Sequence, residues 1–322
     1  MFYRLWGFCI HLSMFRGFQK TIESPVHIKG RGLHTGKKGN LYLKPAEANT
    51  GIIFKRTDVD NDKSIINANY KNVSSAILCT KLTNSHGISV STIEHLMAAF
   101  YGEGIDNILV EIDCPEIPIM DGSAFDFVES IRSVGTEDQK HLRKFIKAKK
   151  KVEVKQGSKY ISIEPLANDL IIDFEIVYKN SLIRTRRHEF KLSNGDLTSL
   201  YNSRTFCLYE DIDQIVSKGL AKGGSLENAI VVKDNKILND NGLRHRHEFV
   251  GHKILDCLGD LMLADYRIFG HIKTSQGGHQ LTNLFLREFL SNKSNWEIEN
   301  FQGKKEGNEK KAPYTRPFAV SA

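Results

Sequence analysis

Apolar and polar residues follow regular patterns in several parts of the chain. The segment "VHIKGRGLHTGKKGNLYLKPA" (26–46) alternates around glycines and predicts two strands joined by a turn, and "KKVEVKQGSKYISIEPL" (150–166) predicts a second such pair. Later in each half, at 91–112 and at 252–272, a helical pattern is followed by a short turn and an apolar strand. Because the elements come in the same order in both halves, the sequence predicts a duplicated α+β unit.

This order of elements divides the chain into two tandem domains. We expect a first α+β domain at 14–140 and a second at 141–322, preceded by an extension at 1–13, because a chain of 322 residues is too long for one small core. A charged run that begins at Asp138 joins the two halves. It suits a linker and the solvated face of a strand equally well.

The helix predicted at 252–260 has an unusual polar face. His252, Asp256 and Asp260 lie at four-residue intervals and fall in one stripe along the helix. Two acids at this spacing repel each other, and only Lys253 is close enough to offset them. An ordinary solvated face is the alternative, but a cation bound over the stripe accounts better for its composition. The opposite stripe is apolar and consists of Ile254, Leu255, Leu258, Leu261 and Met262.

The spacing of His252 and Asp256 allows both side chains to bind one metal ion. Catalytic zinc sites use His and carboxylate ligands and keep one position open for water. The nearby "HEFVGH" resembles the H-E-x-x-H zinc motif, but that motif would need its second His at the position of Gly251. A third ligand to this ion must therefore come from another part of the chain.

Two further segments are candidates for the remaining chemistry. In "STIEHL", Glu94 and His95 stand at the start of a predicted helix. Ser91 and Glu94 have the spacing of a capping box, in which the carboxylate binds backbone amides and is chemically idle, and spacing alone favours that interpretation. In "SQGGHQLTNLF", His279 follows two glycines and precedes a helical pattern, which is a weak indication on its own.

The amino-acid composition gives more information about the compartment and the possible partners of the protein than about any reaction that it catalyses. The net charge of +7 suits an anionic substrate, a membrane surface or nucleic acid, but it is also typical of a Lys-rich soluble protein, which we favour. The five cysteines are scattered and never paired as C-x-x-C, which favours a reducing compartment. No window approaches the roughly 18 consecutive apolar residues of a membrane-spanning helix.

The first twenty residues are apolar and contain Arg4, Arg16 and Lys20 but no acid. This composition suits an organelle transit peptide, although the segment is short and poor in serine. We favour the alternative that residues 1–13 are an extension from an upstream start, because Met14 lies just before the first recognisable element.

Several stretches together resemble one enzyme family, the zinc-dependent UDP-3-O-acyl-N-acetylglucosamine deacetylases of lipid A biosynthesis. The resemblance runs from about Phe18 to the C-terminal "PFAVSA" and leaves out residues 1–13. The number, the length and the order of the matching stretches argue against a chance match. The stretches are "GRGLHTGKKGNLYLKPA", "STIEHLMAAFYGEGIDNILVEIDCPEIPIMDGSAFDFV", "SRTF", "GLAKGGSLENAIVV", "NGLRHRHEFVGHKILDCLGDL" and "GGHQLTN".

The resemblance implies a metal site and an acid–base pair. It implies a zinc ion held by His95, His252 and Asp256, so that one ligand comes from the first half of the chain and two come from the second. Glu94 would then be the general base and His279 the general acid.

The resemblance also implies supporting residues around that centre. Asp260 would orient His279 and favour its charged form, and Thr205 of "SRTF" would stabilise the oxyanion. Lys253 would face the polar head of the substrate, and Phe206 is a further candidate for substrate binding.

The family fold is two similar α+β sandwiches with helices packed between two sheets, and its active site lies at their junction. An insert in the second half, from about Cys207 to Lys236, would line a passage for the fatty acyl chain. Cys207 itself departs from the glycine expected in the family at the mouth of that passage.

These expectations combine into one reaction, the hydrolysis of the N-acetyl group of UDP-3-O-acyl-N-acetylglucosamine to acetate and UDP-3-O-acyl-glucosamine, the committed step of lipid A biosynthesis. We expect a cytoplasmic monomer that binds the acylated UDP sugar, contacts membranes at most peripherally and binds no nucleic acid. Two alternatives remain: a zinc amidohydrolase for another amide, and a binding protein for acylated nucleotide sugars that does not catalyse a reaction.

Overall fold

The computed structural model describes residues 17–194 and 196–300, so the predictions for residues 1–13 and for the C-terminal "PFAVSA" lie outside the described residues. The first half contains the helices α1 (Glu94–Glu103) and α2 (Phe125–Val134). Its strands are β1 (Phe18–Ile22), β2 (Val26–Arg31), β3 (Lys38–Pro45), β4 (Ile52–Arg56), β5 (Ile65–Asn67), β6 (Val73–Ser75), β7 (Lys81–Thr83), β8 (Ser89–Ser91), β9 (Ile108–Ile112) and β10 (Thr136–Leu142).

The second half contains the helices α3 (Thr198–Tyr201), α4 (Ile212–Ser217), α5 (Glu248–Leu261) and α6 (His279–Ser291). Its strands are β11 (Lys144–Ala148), β12 (Val152–Gln156), β13 (Lys159–Glu164), β14 (Leu170–Ile176), β15 (Arg186–Lys191), β16 (Phe206–Leu208), β17 (Ile230–Lys233), β18 (Lys236–Ile237), β19 (Arg267–Ser275) and β20 (Trp296–Asn300).

The main sheets of the two halves have the same topology. In the first half the strand order is β2-β3-β9-β4-β5, with β9 antiparallel to β3 and parallel to β4. In the second half β12, β13, β19, β14 and β15 pair in the same order, with β19 antiparallel to β13 and parallel to β14. The predicted α+β fold with two similar units is therefore confirmed, and the duplication is far clearer in strand pairing than in residue identity.

Alternating burial sets the register of these sheets. On β9, Ile108, Val110 and Ile112 are buried, and Leu41 and Leu43 of β3 are buried opposite them. Because successive side chains of a strand point to opposite faces, a slip of one residue would expose this whole apolar set. The register of the first sheet thus follows from the sequence pattern that predicted its strands.

Helices fill the space between the two sheets, as the family resemblance implies. Helix α2 packs on β2, α6 packs on β12 and β13, and α5 packs on β14 and β15. Helix α1 packs against α5, and its residues from Glu94 to Gly102 are all buried. A helix that is buried on every side needs a close partner, and Gly259 of α5 provides the contact. A Cβ added at Gly259 would lie only 2.0 Å from the carbonyl oxygen of Glu94.

The charged run between the halves forms strands, so its interpretation as a linker is wrong. It forms β10, which pairs with β1, and β11, which pairs with β19 and β20. Between them Arg143 is buried and donates hydrogen bonds to the Asp106 carboxylate and the Gly104 carbonyl. The charges of β10 mostly face solvent, as expected for a solvated strand face.

Helix α5 begins at Glu248, four residues before the predicted start at His252. Glu248 is fully buried, and it accepts hydrogen bonds from the Arg204 guanidinium and from the backbone N–H of Arg244. The helix therefore has one more turn at its start, which contains the glutamate of this buried ion pair and which the apolar pattern did not reveal. Among the helices of residues 17–194 and 196–300, none is long and apolar enough to cross a membrane.

Candidate active site

The three predicted metal ligands meet where α1 packs on α5. One donor atom from each of His95, His252 and Asp256 lies within 4.8 Å of the other two, and all three side chains are buried. The Asp256 Oδ1 atom is 3.5 Å from the Nε2 atom of His95 and 3.4 Å from that of His252. The tertiary structure thus brings together residues that are far apart in the chain.

The state of these donor atoms fits a divalent cation. The Asp256 Oδ1 atom is buried and has no hydrogen-bond partner among the described residues, which is costly unless a cation satisfies it. The Nδ1 atom of His252 is 3.0 Å from the Ser203 carbonyl oxygen, so Nδ1 carries the proton and the Nε2 lone pair is free. Burial lowers the pKa of His252 to about 3, so its ring stays neutral, as metal binding requires.

Glu94 does not cap its helix, so the capping-box alternative is wrong. The helix N-cap is Ile93, without a side-chain hydrogen bond, and the Ser91 hydroxyl donates to the Pro115 carbonyl at 3.2 Å. The Glu94 carboxylate instead accepts from the backbone N–H of Thr80 at 3.1 Å. Burial raises the pKa of this carboxyl above its ordinary value, against the opposing effect of the nearby His279 charge.

His279 is held by a chain of hydrogen bonds that runs from Thr80 through Asp260 to the imidazole ring. Its Nδ1–H donates to Asp260 Oδ2 at 2.8 Å, and the Thr80 hydroxyl donates to Asp260 Oδ1 at 2.6 Å. Burial by itself lowers the pKa of His279, but the Asp260 and Glu94 carboxylates outweigh it and raise the pKa to about 10. These carboxylates favour the charged form of His279, and its Nε2 atom lies 3.9 Å from Glu94 Oε1.

Comparison with known proteins assigns this arrangement to a family. The family described as "LpxC: UDP-3-O-acyl N-acetylglycosamine deacetylase" matches residues 19–291. The chain belongs to this family. A UDP-3-O-acyl-N-acetylglucosamine deacetylase of Pasteurella multocida is 43% identical over 289 residues, which cover 89% of this chain and 94% of that protein. The proteins of the same name from Histophilus somni and Haemophilus influenzae are each 42% identical over 291 residues, 89% of this chain and 95% of theirs.

A cavity of about 900 Å³ opens beside this deacetylase-family site. The predicted insert forms one of its walls through α4, β16 and β17, and Cys207 is part of that wall. The wall is mostly apolar. Its apolar residues include Leu33, Ile77 and Leu78 outside the insert, and Leu208, Ile212, Ile215, Val216, Leu226 and Val231 within it.

The other predicted site residues lie where this cavity meets the predicted metal ligands. The Lys253 ammonium donates to Asp256 Oδ2 at 2.7 Å, which leaves Oδ1 of that carboxylate free for a cation. Thr205 and Phe206 line the cavity, and the Phe206 ring lies edge-on to the ring of His252, with centroids 6.4 Å apart. All of the predicted site residues therefore lie in one region of the structure.

Sequence reasoning missed two contacts of this site. Thr80 binds both Glu94 and Asp260, which lie 14 and 180 residues away in the sequence, so no local pattern could reveal it. The Ser203 carbonyl orients His252 through the backbone, and a backbone contact leaves no side-chain signature in the sequence.

Proposed function

We propose that this chain hydrolyses the N-acetyl group of UDP-3-O-acyl-N-acetylglucosamine, releasing acetate and UDP-3-O-acyl-glucosamine in the committed step of lipid A biosynthesis. The observation that carries the proposal is the buried set of His95, His252 and Asp256, with a free carboxylate oxygen, next to Glu94 and His279. The names of the relatives supply the substrate.

We further propose that His95, His252 and Asp256 hold a zinc ion. Two imidazoles and one carboxylate are a ligand set that zinc enzymes use, and such a set leaves a position open for water or substrate. A zinc ion held there supplies Lewis acidity, which polarises the acetamide carbonyl and lowers the pKa of the attacking water toward ~7.

Glu94 acts as the general base in this proposal. Its carboxylate is held at one oxygen by the Thr80 N–H, so the other oxygen is directed into the site. Burial raises its pKa toward the working pH, and a base is most effective when the two values are close. Glu94 therefore accepts the proton of the attacking water.

His279 acts as the general acid. Asp260 holds its ring through Nδ1, which leaves Nε2–H directed toward the site with a proton to donate. The amine leaving group must be protonated for the C–N bond to break, and His279 supplies that proton. The Thr205 hydroxyl donates a hydrogen bond to the oxyanion as it develops.

The cavity beside the site accommodates the fatty acyl chain. Its walls are mostly apolar, and each buried methylene contributes roughly 0.8 kcal/mol to binding. Lys253 and Phe206 line this cavity and also contact Asp256 and His252, so in this proposal the sugar of the substrate lies against them. We propose that the protein works as a cytoplasmic monomer on this acylated UDP sugar, without nucleic acid and with at most peripheral membrane contact.

Acetate release and metal analysis of the purified protein test the proposal together. The expected result is about one zinc per chain, loss of turnover on chelation, and a much higher kcat/KM for the acylated than for the unacylated UDP sugar. Equal kcat/KM for the two sugars would point to an amidohydrolase of another amide. Substrate binding without acetate release would point to a binding protein.

A further inference from the structure

Thr80 lies at the meeting point of the two halves of the molecule. It directly precedes β7 in the first half and is 2% exposed. Two residues earlier, Leu78 has φ = 61°, a left-handed conformation that is costly for a side chain as large as leucine. Leu78 and Ile77 also line the mouth of the apolar cavity, so this strained loop connects the cavity mouth with the buried site.

Thr80 contacts the proposed base and the carboxylate behind the proposed acid through different atoms. Its backbone N–H donates to Glu94 Oε2 at 3.1 Å. Its hydroxyl donates to Asp260 Oδ1 at 2.6 Å, and the other oxygen of Asp260 accepts from His279 Nδ1–H. One residue thus connects two groups that have opposite tasks in the reaction.

We propose that Thr80 is a positioning residue that fixes the distance and orientation between Glu94 and the Asp260–His279 pair. This role rests on the proposed function, because it has meaning only if Glu94 and His279 act in one reaction. Thr80 itself does not reach the reacting atoms and acts through the two carboxylates.

The hydroxyl is the part of Thr80 that matters in this proposal. A buried carboxylate that loses a donor rotates or recruits another partner, and the histidine ring bonded to it moves as well. The backbone N–H that holds Glu94 does not depend on the side chain. Removing the hydroxyl alone should therefore release Asp260 and His279 while Glu94 keeps its contact.

The experiment compares Thr80→Val, which keeps the shape and loses the hydroxyl, with Thr80→Ser, which keeps the hydroxyl. Thr21→Val is the matched control, since the similarly buried Thr21 hydroxyl accepts a hydrogen bond from the Ala46 backbone N–H at 3.1 Å, on strand β1, which contributes no residue to the cavity or to the site. Full-length variants are assayed for kcat, KM, zinc content and thermal stability. The ¹H NMR signal of the His279 Nδ1–H is recorded in parallel, as a readout that does not need turnover.

For Thr80→Val we expect kcat to fall roughly 10-fold to 100-fold, with KM and zinc content nearly unchanged and the His279 Nδ1–H signal shifted. Thr80→Ser should restore kcat and the signal, and Thr21→Val should lose some stability but keep its kcat. A wild-type kcat for Thr80→Val, or a Thr80→Ser variant as slow as Thr80→Val, would overturn the role.

Failure of the proposed function gives a different result. In that case the wild-type protein itself releases no acetate from the acylated UDP sugar, whatever residue 80 is. An active wild type with an inactive Glu94→Gln variant and a normal Thr80→Val variant would leave the reaction in place and remove only Thr80 from it.

Discussion

Two groups of His and carboxylate side chains in this molecule have similar residue types and spacing but differ in their surroundings. In the active-site group, His95, His252 and Asp256 are all buried between two helices. In the sheet-face group, Asp173 is buried, Glu189 is exposed and His271 is half-buried on the outer face of the second sheet. In both groups the ligand atoms lie within 4.8 Å of one another, so proximity does not distinguish them.

The difference lies in the cations that already satisfy each carboxylate. Both oxygens of Asp173 accept hydrogen bonds from the Arg187 guanidinium, one of them at 2.7 Å from Nε. In the active-site group, Lys253 binds one oxygen of Asp256 and leaves the other without a partner. Ligand type and spacing therefore identify both groups as candidate metal sites. The unsatisfied buried carboxylate oxygen indicates which of the two needs a metal ion.

Removing one histidine from each group should have the largest and most unequal effects. We expect His252→Ala to weaken zinc binding by more than roughly 100-fold and to abolish acetate release, because it removes a direct ligand. His271→Ala should leave both quantities unchanged, since its carboxylate neighbour is already paired with Arg187. Metal analysis and an activity assay measure both effects, and full zinc content in His252→Ala would contradict the ligand assignment.

Neutralising one carboxylate near each group should separate chemistry from structure. Glu94→Gln is expected to lower kcat by roughly 10²-fold while zinc content and stability stay near those of the wild type. The matched control is Glu189→Gln in the sheet-face group, which should turn over normally because Glu189 is exposed and does not line the cavity beside the active site. A near wild-type rate for Glu94→Gln at full zinc occupancy would remove Glu94 from the mechanism.

The helix contact that assembles the active-site group should be sensitive to a single methyl group. In Gly259→Ala the added Cβ meets the backbone of Glu94, which cannot rotate away, so the helices must separate. We expect a loss of about 1–3 kcal/mol in the free energy of unfolding, together with weaker zinc binding. Gly278→Ala, where an added Cβ meets no atom within 4 Å, is the control for stability. Denaturant unfolding and zinc titration test both variants.

The smallest effect is expected from the ion pair of the sheet-face group. Arg187→Ala should cost only about 0.2–1 kcal/mol of stability at neutral pH, because the guanidinium is exposed and screened by solvent. The Arg187 hydrogen bonds lower the pKa of Asp173, so this contribution is present above the unfolded pKa near ~4 and is lost as the pH falls through the folded value. Unfolding curves of wild type and variant should therefore converge in acid, and a constant difference at every pH would contradict this assignment.

Some features of the site followed from local sequence patterns. The stripe of His252, Asp256 and Asp260 was visible because a helix has a fixed period, and the structure buries all three residues at the site. The strands around the glycine-rich turn at 26–46 were visible for the same reason, since side chains alternate between the two faces of a strand. The domain boundary near residue 140 stays a prediction, although the main sheet of each half takes all of its strands from one side of Arg143.

Other features were decided only by contacts between distant parts of the chain. Spacing favoured Glu94 as a helix cap, but in the structure its carboxylate accepts a hydrogen bond from the backbone N–H of Thr80 instead of capping the helix. The sequence also did not reveal the partners of Asp173 and Asp256. Arg187 on the neighbouring strand satisfies both oxygens of Asp173, whereas one buried oxygen of Asp256 has no hydrogen-bond partner among the described residues. Local periodicity determines which side chains share one face of a helix or strand. Only the packing of one element against another determines whether a buried charged side chain has a protein partner or needs a bound ion to satisfy it.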